Sequence, residues 1–212
     1  MGTLRLGVFA SGRGSNFQAI HRAIVDKRLN AEVGLLLSNN AEAGALKYAK
    51  AHTVPTAVIS RGAFPTREAF LAALLRSLRS HGVTFVAMAG YMKKIPPEII
   101  DVYRDRMVNI HPALLPSFGG KGMYGRHVHE AVLRSGCKVS GVTVHMVDEK
   151  YDHGAIVAQR SVPVEEGDSA ETLAERVLRV EHSLYPEVLQ WFAEDRVLVD
   201  GRRTILRPPS SR

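Results

Sequence analysis

Two patterns of apolar and polar positions alternate along the first half of the chain. Short apolar runs such as residues 4–10 are typical of strands buried on both faces, and apolar residues at helical spacing in 66–80 are typical of an amphipathic helix. Strands alternating with helices predict right-handed crossovers and a mainly parallel, twisted sheet with helices on both faces. The predicted strands cover 4–10, 31–37, 54–59, 83–89 and 107–110, and the predicted helices cover 15–28, 42–51 and 66–80.

The second half of the chain does not repeat the regular strand–helix alternation of the first half, and it ends in a long helix and a hairpin. We expect the long helix over 170–192 to be interrupted or kinked near Pro186, because proline lacks the amide hydrogen of a helical residue. Asp200-Gly201 between two apolar triplets predicts a C-terminal hairpin. The fold class is therefore α/β, one domain over 1–200 with a short basic tail over 201–212. The other predicted elements are a helix over 127–134, strands over 139–147 and 155–164, and hairpin strands over 197–199 and 204–206.

Composition removes several classes of protein. The chain has 212 residues, 45% of them hydrophobic, which suits a globular core. Its one cysteine, Cys137, excludes an intrachain disulfide and a cysteine-based zinc cage, and suits a reducing cytosol. No apolar run approaches the ~20 residues of a membrane helix. We therefore predict a cytoplasmic protein that uses no membrane.

The charge balance favours an anionic partner without choosing one. Lys and Arg number 28 against 21 Asp and Glu, a net charge of +7, which suits nucleic acid, anionic lipid or a phosphorylated metabolite. Much of the excess lies at the C-terminus. We interpret that basic tail as solvated, with its arginines at Arg202, Arg203, Arg207 and Arg212.

A glycine-containing loop follows the first predicted strand. Ser11-Gly12-Arg13-Gly14-Ser15-Asn16 joins strand to helix, where free N–H groups and the positive helix end favour a phosphate. The loop lacks the Lys of a Walker motif, and Phe17 replaces the third small residue of a dinucleotide fingerprint. A single phosphate fits better than a nucleotide cofactor, and a plain tight turn with a serine cap stays open as the alternative.

Two polar side chains end the fifth predicted strand. Strand alternation puts Asn109 and His111 on the same side, and Pro112 then ends the strand. An imidazole can move a proton near neutral pH, and an amide can donate to a developing oxyanion. A hydrogen-bonded structural pair explains the same spacing equally well.

The run Asn109-Ile110-His111-Pro112-Ala113-Leu114-Leu115-Pro116-Ser117-Phe118 resembles the signature of the folate-dependent formyltransferases, and the resemblance covers about residues 4–200. It implies the Rossmann-like fold of that family. It also implies transfer of the formyl group of 10-formyltetrahydrofolate to the amine of glycinamide ribonucleotide, a step of purine biosynthesis, with no metal and no covalent enzyme intermediate. The implied partners are these two small molecules and no nucleic acid, for a monomer or a homodimer.

The resemblance assigns roles to individual residues. Asn109 and protonated His111 would stabilise the tetrahedral oxyanion, and Asp152, by pairing with the imidazolium, would raise the pKa of His111. Lys93 stands where the family often has Arg. The ribonucleotide would bind Gly14, Ser15, Asn16 and Glu181, and the folate would bind Arg67, Met92, Lys93, Lys94, Ile95, Asp148, Glu149, Lys150 and Tyr151. For Arg67, an ordinary exposed helix charge is an equally good interpretation.

Other features keep two interpretations each. The glycine-rich segment 119–129 is longer than in many family members: Lys121 and Arg126 can assist an anionic substrate, or the glycines can make a mobile loop. His127 and His129 suggest a metal site, but the sequence shows no evident third ligand at metal-binding spacing, which argues against it. His145 is a supporting partner of the site or, as we favour, a buried structural histidine.

Three rival functions follow from the same sequence. A methionyl-tRNA formyltransferase would need a basic RNA-binding domain after the hairpin. A formyltetrahydrofolate hydrolase would need a regulatory domain before the first strand. A non-enzymatic nucleic-acid-binding domain would need aromatic residues interleaved with basic ones, and the 7% aromatic residues lie at core-like positions instead.

Overall fold

The structure is a computed structural model that describes residues 3–209, and it contains the predicted alternation of strands and helices. The strands of this described part are β1 Leu4–Phe9, β2 Ala31–Ser38, β3 Thr56–Val58, β4 Phe85–Met88, β5 Met107–His111, β6 Val139–Met146, β7 Ile156–Pro163, β8 Val197–Asp200 and β9 Arg203–Leu206. The α-helices found between residues 3 and 209 are α1 Ser15–Val25, α2 Gly44–Ala51, α3 Arg67–Ser80, α4 Pro97–Val102, α5 Arg126–Arg134 and α6 Ala170–Ala193.

Seven strands form one mainly parallel sheet in the order β3-β2-β1-β4-β5-β6-β7, and β8 pairs with β9. β1 is parallel to β2 and to β4, whereas β6 and β7 are antiparallel. The predicted fold class, an α/β domain with a C-terminal hairpin, is confirmed. Within the fold the chain forms two compact units, Met1–Val108 and Asn109–Arg212.

In the first unit, the strand order places three loops at one sheet edge. β1 lies between β2 and β4, with all three strands parallel, so the loops that follow them leave from the same edge. The chain reaches β2 on one side of β1 and β4 on the other, and open α/β sheets bind ligands at such a reversal of strand order. The apolar residues of these strands are buried, among them Val8, Phe9, Leu36 and Val86.

Two short elements of the first unit are missing from the prediction. A 3-10 turn spans Arg61–Ala63, and α4 spans only six residues after Pro96. Six residues are fewer than two helical turns, so no apolar periodicity can mark them. Proline at the first helical position is the one available signal, because its missing N–H is unpaired there in any case.

In the second unit, α6 is continuous, so of the two expected outcomes near Pro186, an interruption or a kink, the interruption is wrong. The helix begins with a capping box between Ser169 and Thr172 and runs through Pro186. Pro186 is itself buried with Leu184, Tyr185 and Val188 on the face of α6. We attribute the continuity to this apolar burial, which offsets the hydrogen bond that proline cannot make.

The C-terminal hairpin forms as predicted, with Asp200 opposite Arg203 across the turn. The predicted boundary at residue 200 cuts this hairpin, because Arg203–Leu206 is the strand β9 and not a tail. The last predicted tail arginine, Arg212, lies outside the described residues. Between residues 3 and 209, no helix has the length and apolarity needed to cross a membrane.

Candidate functional site

The glycine loop of the first unit is built around the N-terminus of α1. Gly14 caps the helix in the left-handed conformation, with φ of 77°, and its carbonyl accepts the first helical hydrogen bond from Gln18 at 2.9 Å. No side chain in the described part of the chain caps this end. Ser15 and Asn16 form the first turn, so the predicted phosphate-binding residues lie where backbone N–H groups and the helix dipole favour an anion.

Gly14 is confined by its neighbour as well as by its own backbone. A Cβ atom at Gly14 would lie 2.5 Å from the Cβ of Ala45 on α2, a distance that real Cβ contacts do not show. The loop is held on α2 by the backbone hydrogen bond from Ala45 N to Gly12 O at 3.1 Å. Glycine is therefore required at this position for sterics and for φ.

We expect Gly14→Ala to destabilise the protein by about 2 kcal/mol or more, from the positive φ and the clash with Ala45. Denaturant unfolding measures this change. Gly12→Ala is the matched control for stability, because a Cβ at Gly12 meets nothing within 4 Å; it should change the free energy of unfolding by less than about 0.5 kcal/mol. Equal losses in the two variants would contradict the steric argument.

In the second unit, two predicted catalytic side chains, His111 and Asp152, lie close together, and His145 connects the third, Asn109, to Asp152. His111, 3% exposed, is at the end of β5 and donates from Nε2–H to the carbonyl of Phe118 at 2.8 Å. Its other nitrogen, Nδ1, lies 3.6 Å from Oδ2 of Asp152. Both ring nitrogens of His111 therefore face oxygen acceptors, an environment that suits the protonated ring.

The backbone holds Asp152 in place. Asp152 has a left-handed φ of 52°, a conformation that Asp tolerates better than most residues. The N–H of Gly120 donates to Asp152 Oδ2 at 2.9 Å. Two residues on, Gly154 passes so close to β6 that a Cβ would lie 1.9 Å from the carbonyl oxygen of Met146. Position 154 therefore has to be glycine, because any residue with a Cβ would clash with the Met146 carbonyl.

His145 links Asn109 to Asp152. Its Nδ1–H donates to the carbonyl of Met146 at 2.8 Å, which leaves Nε2 to accept the amide of Asn109 at 3.1 Å. The same Nε2 lies 3.6 Å from Asp152 Oδ1. His145 is 2% exposed and also contacts the site, so it has features of both interpretations, the buried histidine and the supporting partner. Its place on the strand before the Asp152 loop was the sequence signal.

Burial and the neighbouring polar and charged groups shift the pKa values of His111 and Asp152 in opposite directions. Burial lowers the pKa of His111, and the nearby Asp152 carboxylate and Phe118 carbonyl raise it by less, so the net direction is downward. The expectation that Asp152 raises this pKa describes one contribution and not the sum. For Asp152 itself, burial raises the pKa, but His145, His111 and the Gly120 N–H together lower it below the usual value. Asp152 is consequently a carboxylate at neutral pH.

The two histidines of the suggested metal pair do not share a site. They are two positions apart on α5, so they project to nearly opposite sides of the helix. The side chain of His127 is 62% exposed and lies 3.5 Å from Glu130, whereas His129 is 4% exposed. Arg126 is paired with Glu130 and Glu171. No group of three or more His, Cys, Asp or Glu side chains suited to a metal occurs within residues 3–209.

Apart from Arg67 on α3, the predicted folate-binding residues lie in two loops, one in each unit. After β4, Met92, Lys93 and Lys94 are exposed and Ile95 is buried. In the loop after β6, Glu149, Lys150 and Tyr151 are exposed. The Asp148 carboxylate accepts the N–H of Lys150 at 2.8 Å and Nδ1–H of His153 at 2.6 Å, and Arg202 from the hairpin donates to the other nitrogen of His153.

Two further predicted residues have surroundings that the sequence did not indicate. Arg67 makes a two-bond pair with Glu98 of α4, with N–O distances of 2.5 and 2.8 Å, and both side chains are about half exposed. A ligand at Arg67 has to compete with Glu98. Glu181 is buried on α6, 6% exposed, unlike the exposed surface position usual for a glutamate.

The profile of the family described as "Formyl transferase" matches residues 4–189 of the chain. The chain belongs to the formyl transferase family. Among relatives of this formyl transferase is the chloroplastic phosphoribosylglycinamide formyltransferase of Arabidopsis thaliana, 46% identical over 194 residues. The alignment covers 91% of this chain and 66% of the plant protein. A second plant relative, from Vigna unguiculata, is covered over 62% of its length, so this formyl transferase spans less than two thirds of both plant relatives.

Bacterial relatives match this formyl transferase over nearly their whole length. The phosphoribosylglycinamide formyltransferase of Bacillus subtilis is 37% identical over 186 residues, which is 88% of this chain and 93% of that protein. The crystal structure of glycinamide ribonucleotide transformylase 1 from Symbiobacterium toebii superposes with a TM-score of 0.91 at 38% identity, covering 97% of this chain and 95% of that chain. The fold of this chain is therefore the fold of solved proteins of the same family.

Proposed function

We propose that this formyl transferase moves the formyl group of 10-formyltetrahydrofolate to the amine of glycinamide ribonucleotide, a step of purine biosynthesis. The observation that carries the proposal is the cluster of amide, imidazole and carboxylate at Asn109, His111 and Asp152. The names of the bacterial and plant relatives support the choice of acceptor. We further infer a cytoplasmic enzyme, for which the unpaired Cys137 is the supporting observation. Its catalytic domain continues past residue 200 to include β9 of the hairpin.

The reaction needs charge stabilisation and proton movement. The substrate amine attacks the formyl carbon, forming a C–N bond and a tetrahedral carbon whose oxygen carries negative charge. Asn109 donates an amide N–H to that oxygen, and such donors are effective in a water-poor site. The bond from carbon to the folate nitrogen then breaks, the amine loses a proton, and the folate nitrogen gains one.

His111 is the group that can supply the proton to the folate nitrogen. Asp152, 3.6 Å away, opposes the effect of burial and so increases the protonated fraction of His111. In this structure Nε2–H of His111 is held by the Phe118 carbonyl. Transfer from that nitrogen requires the contact to be exchanged for one with the substrate, which puts Phe118 among the residues that change partner during the reaction.

Each unit contributes binding residues in this proposal. In the first unit, Gly14, Ser15 and Asn16 hold the phosphate of the ribonucleotide at the N-terminus of α1. The exposed loop over 92–95 and Arg67 contact the folate. In the second unit, Glu181 contacts the ribonucleotide, and the loop over 148–151 contacts the folate. Every step uses side chains of the chain itself, and the chemistry requires no metal.

An absorbance assay for deformylated folate tests this function. Purified protein is incubated with 10-formyltetrahydrofolate, with and without glycinamide ribonucleotide, and the formylated ribonucleotide is identified by mass. We expect folate product only when the ribonucleotide is present. Equal rates without it would support a hydrolase instead. Transfer to methionyl-tRNA in place of the ribonucleotide would support the tRNA enzyme, and salt-sensitive nucleic-acid binding without turnover would support a binding domain.

A further inference from the structure

Ser11 lies at the edge where three neighbouring parallel strands of the first unit, β2, β1 and β4, end and their loops begin. It follows the end of β1 and precedes Gly12 of the glycine loop. Its side chain bonds Asn39, the first residue after β2, and Met92, the fourth residue after β4. Neither the phosphate-binding nor the folate-binding residues proposed above include it.

The hydroxyl of Ser11 makes two hydrogen bonds of opposite sense. Oγ–H donates to Oδ1 of Asn39, just after β2, at 2.5 Å. The same oxygen accepts the backbone N–H of Met92, in the loop after β4, at 2.8 Å. The proton and a lone pair of one hydroxyl therefore connect the ends of β2 and β4 through the end of β1.

The backbone of Ser11 is held independently of its side chain. Its N–H donates to the carbonyl of Gly90 at 3.1 Å, and its carbonyl accepts Nδ2–H of Asn40 at 3.3 Å. Removing the hydroxyl leaves both contacts in place. The glycine loop therefore keeps its backbone hydrogen bonds to Gly90 and Asn40. Among the predicted folate-binding residues, Met92 is the one that loses a hydrogen bond when the hydroxyl is removed.

The loop after β4 has few other restraints near Met92. Tyr91 packs edge-on against Phe9 at 5.3 Å between ring centroids, and Ile95 is buried. Between these two anchors, Met92, Lys93 and Lys94 are exposed. The hydrogen bond from Met92 N–H to Ser11 thus fixes the backbone of the exposed part of the loop.

We propose that Ser11 is a positioning residue for the formyl donor: its hydroxyl sets the position of the folate-binding loop through Met92. The inference rests on the proposed function, because it takes the loop over 92–95 to contact the folate. Since the backbone hydrogen bonds of Ser11 to Gly90 and Asn40 hold the glycine loop without the hydroxyl, its removal should affect the folate more than the ribonucleotide. A merely structural serine would affect both substrates alike.

We expect Ser11→Ala to raise the KM for 10-formyltetrahydrofolate about five- to tenfold, the effect of losing one hydrogen bond of ~1 kcal/mol. The KM for glycinamide ribonucleotide and kcat should stay within about twofold. Ser11→Thr, which keeps a hydroxyl, should restore the folate KM. Ser38→Ala is the matched control: the Ser38 hydroxyl is buried at the end of β2 and bonds the backbone of Asn40, not Met92.

Amide hydrogen exchange measured without substrates tests the contact itself. The Met92 amide should exchange about five- to tenfold faster in Ser11→Ala, and at the wild-type rate in Ser38→Ala. If wild-type protein fails to formylate the ribonucleotide, the equilibrium Kd for 10-formyltetrahydrofolate replaces KM, so failure of the function and failure of the Ser11 role stay distinguishable. Unchanged Met92 exchange, or parallel losses for both substrates, would overturn the role of Ser11.

Discussion

Asn109→Ala is expected to lower kcat about 10²–10³-fold, the usual effect of removing one oxyanion donor. The side chain lies partly buried on β5, and its Nδ2 already donates to His145 at 3.1 Å. That bond orients the amide and leaves its second N–H for the substrate oxygen. Steady-state kinetics with both substrates measures the effect, and the KM values should change much less than kcat, since the oxyanion exists only after attack.

The control for Asn109→Ala has to separate chemistry from folding. His145→Gln removes the ring that holds the Asn109 amide while leaving the amide in place, and we expect a smaller loss, about tenfold. Thermal unfolding of both variants should show folded protein. Turnover of Asn109→Ala within about threefold of wild type would remove Asn109 from the mechanism.

The elements that the sequence predicts well are those with an extended repeat. β1 follows from a short apolar run bounded by a glycine-containing loop, and α3 follows from apolar residues at helical spacing. Both lie within a few residues of the predicted bounds. α4 was missed because six residues carry no period. The expected interruption at Pro186 was wrong. The missing amide hydrogen of proline predicts a local loss of one hydrogen bond, but it does not predict how much apolar surface the rest of α6 buries.

Part of the candidate site follows from a sequence pattern, and part of it is visible only in the structure. The pairing of Asn109 with His111 needs only strand alternation, so two residue types at one spacing suffice to suggest it. The family resemblance assigns the catalytic role to Asp152, and not to its loop neighbours Asp148 and Glu149, by register with Gly154 and the strand that follows. The physical reasons, a left-handed φ and the close approach of Gly154 to Met146, are visible only in the structure. Roles for all these residues stay predictions.

Contacts between residues far apart in the chain were beyond prediction. Asn109 and His145 are separated by 36 positions, and Arg67 and Glu98 by 31. Each partner looks ordinary by itself: a histidine on a strand, an arginine at a helix start. The Ser11 hydroxyl joins Asn39 and Met92 for the same reason, because parallel strands bring their carboxyl ends together only when the sheet forms.

Asp152→Asn is expected to reduce kcat at pH 7.5 about 10²-fold and to move its pH dependence. If the reaction uses protonated His111, activity falls as pH rises through the pKa of that residue. Burial lowers this pKa, and the Asp152 carboxylate raises it in part. A neutral amide at position 152 removes the raising effect, so the pKa drops further, and the decline on the alkaline side must shift to lower pH. Measurement of kcat from pH 5 to 9 with saturating substrates reports the shift.

His153→Gln provides the matched control for Asp152→Asn. His153 is adjacent in the same loop, but its ring contacts Asp148 and Arg202 and not His111. This variant should keep the wild-type pH profile even if loop packing suffers. A profile of Asp152→Asn that keeps its alkaline limb at the wild-type pH, with kcat lowered uniformly, would show that Asp152 positions the loop without tuning His111. A shift towards higher pH would contradict the electrostatic argument outright, because loss of a carboxylate cannot stabilise the imidazolium.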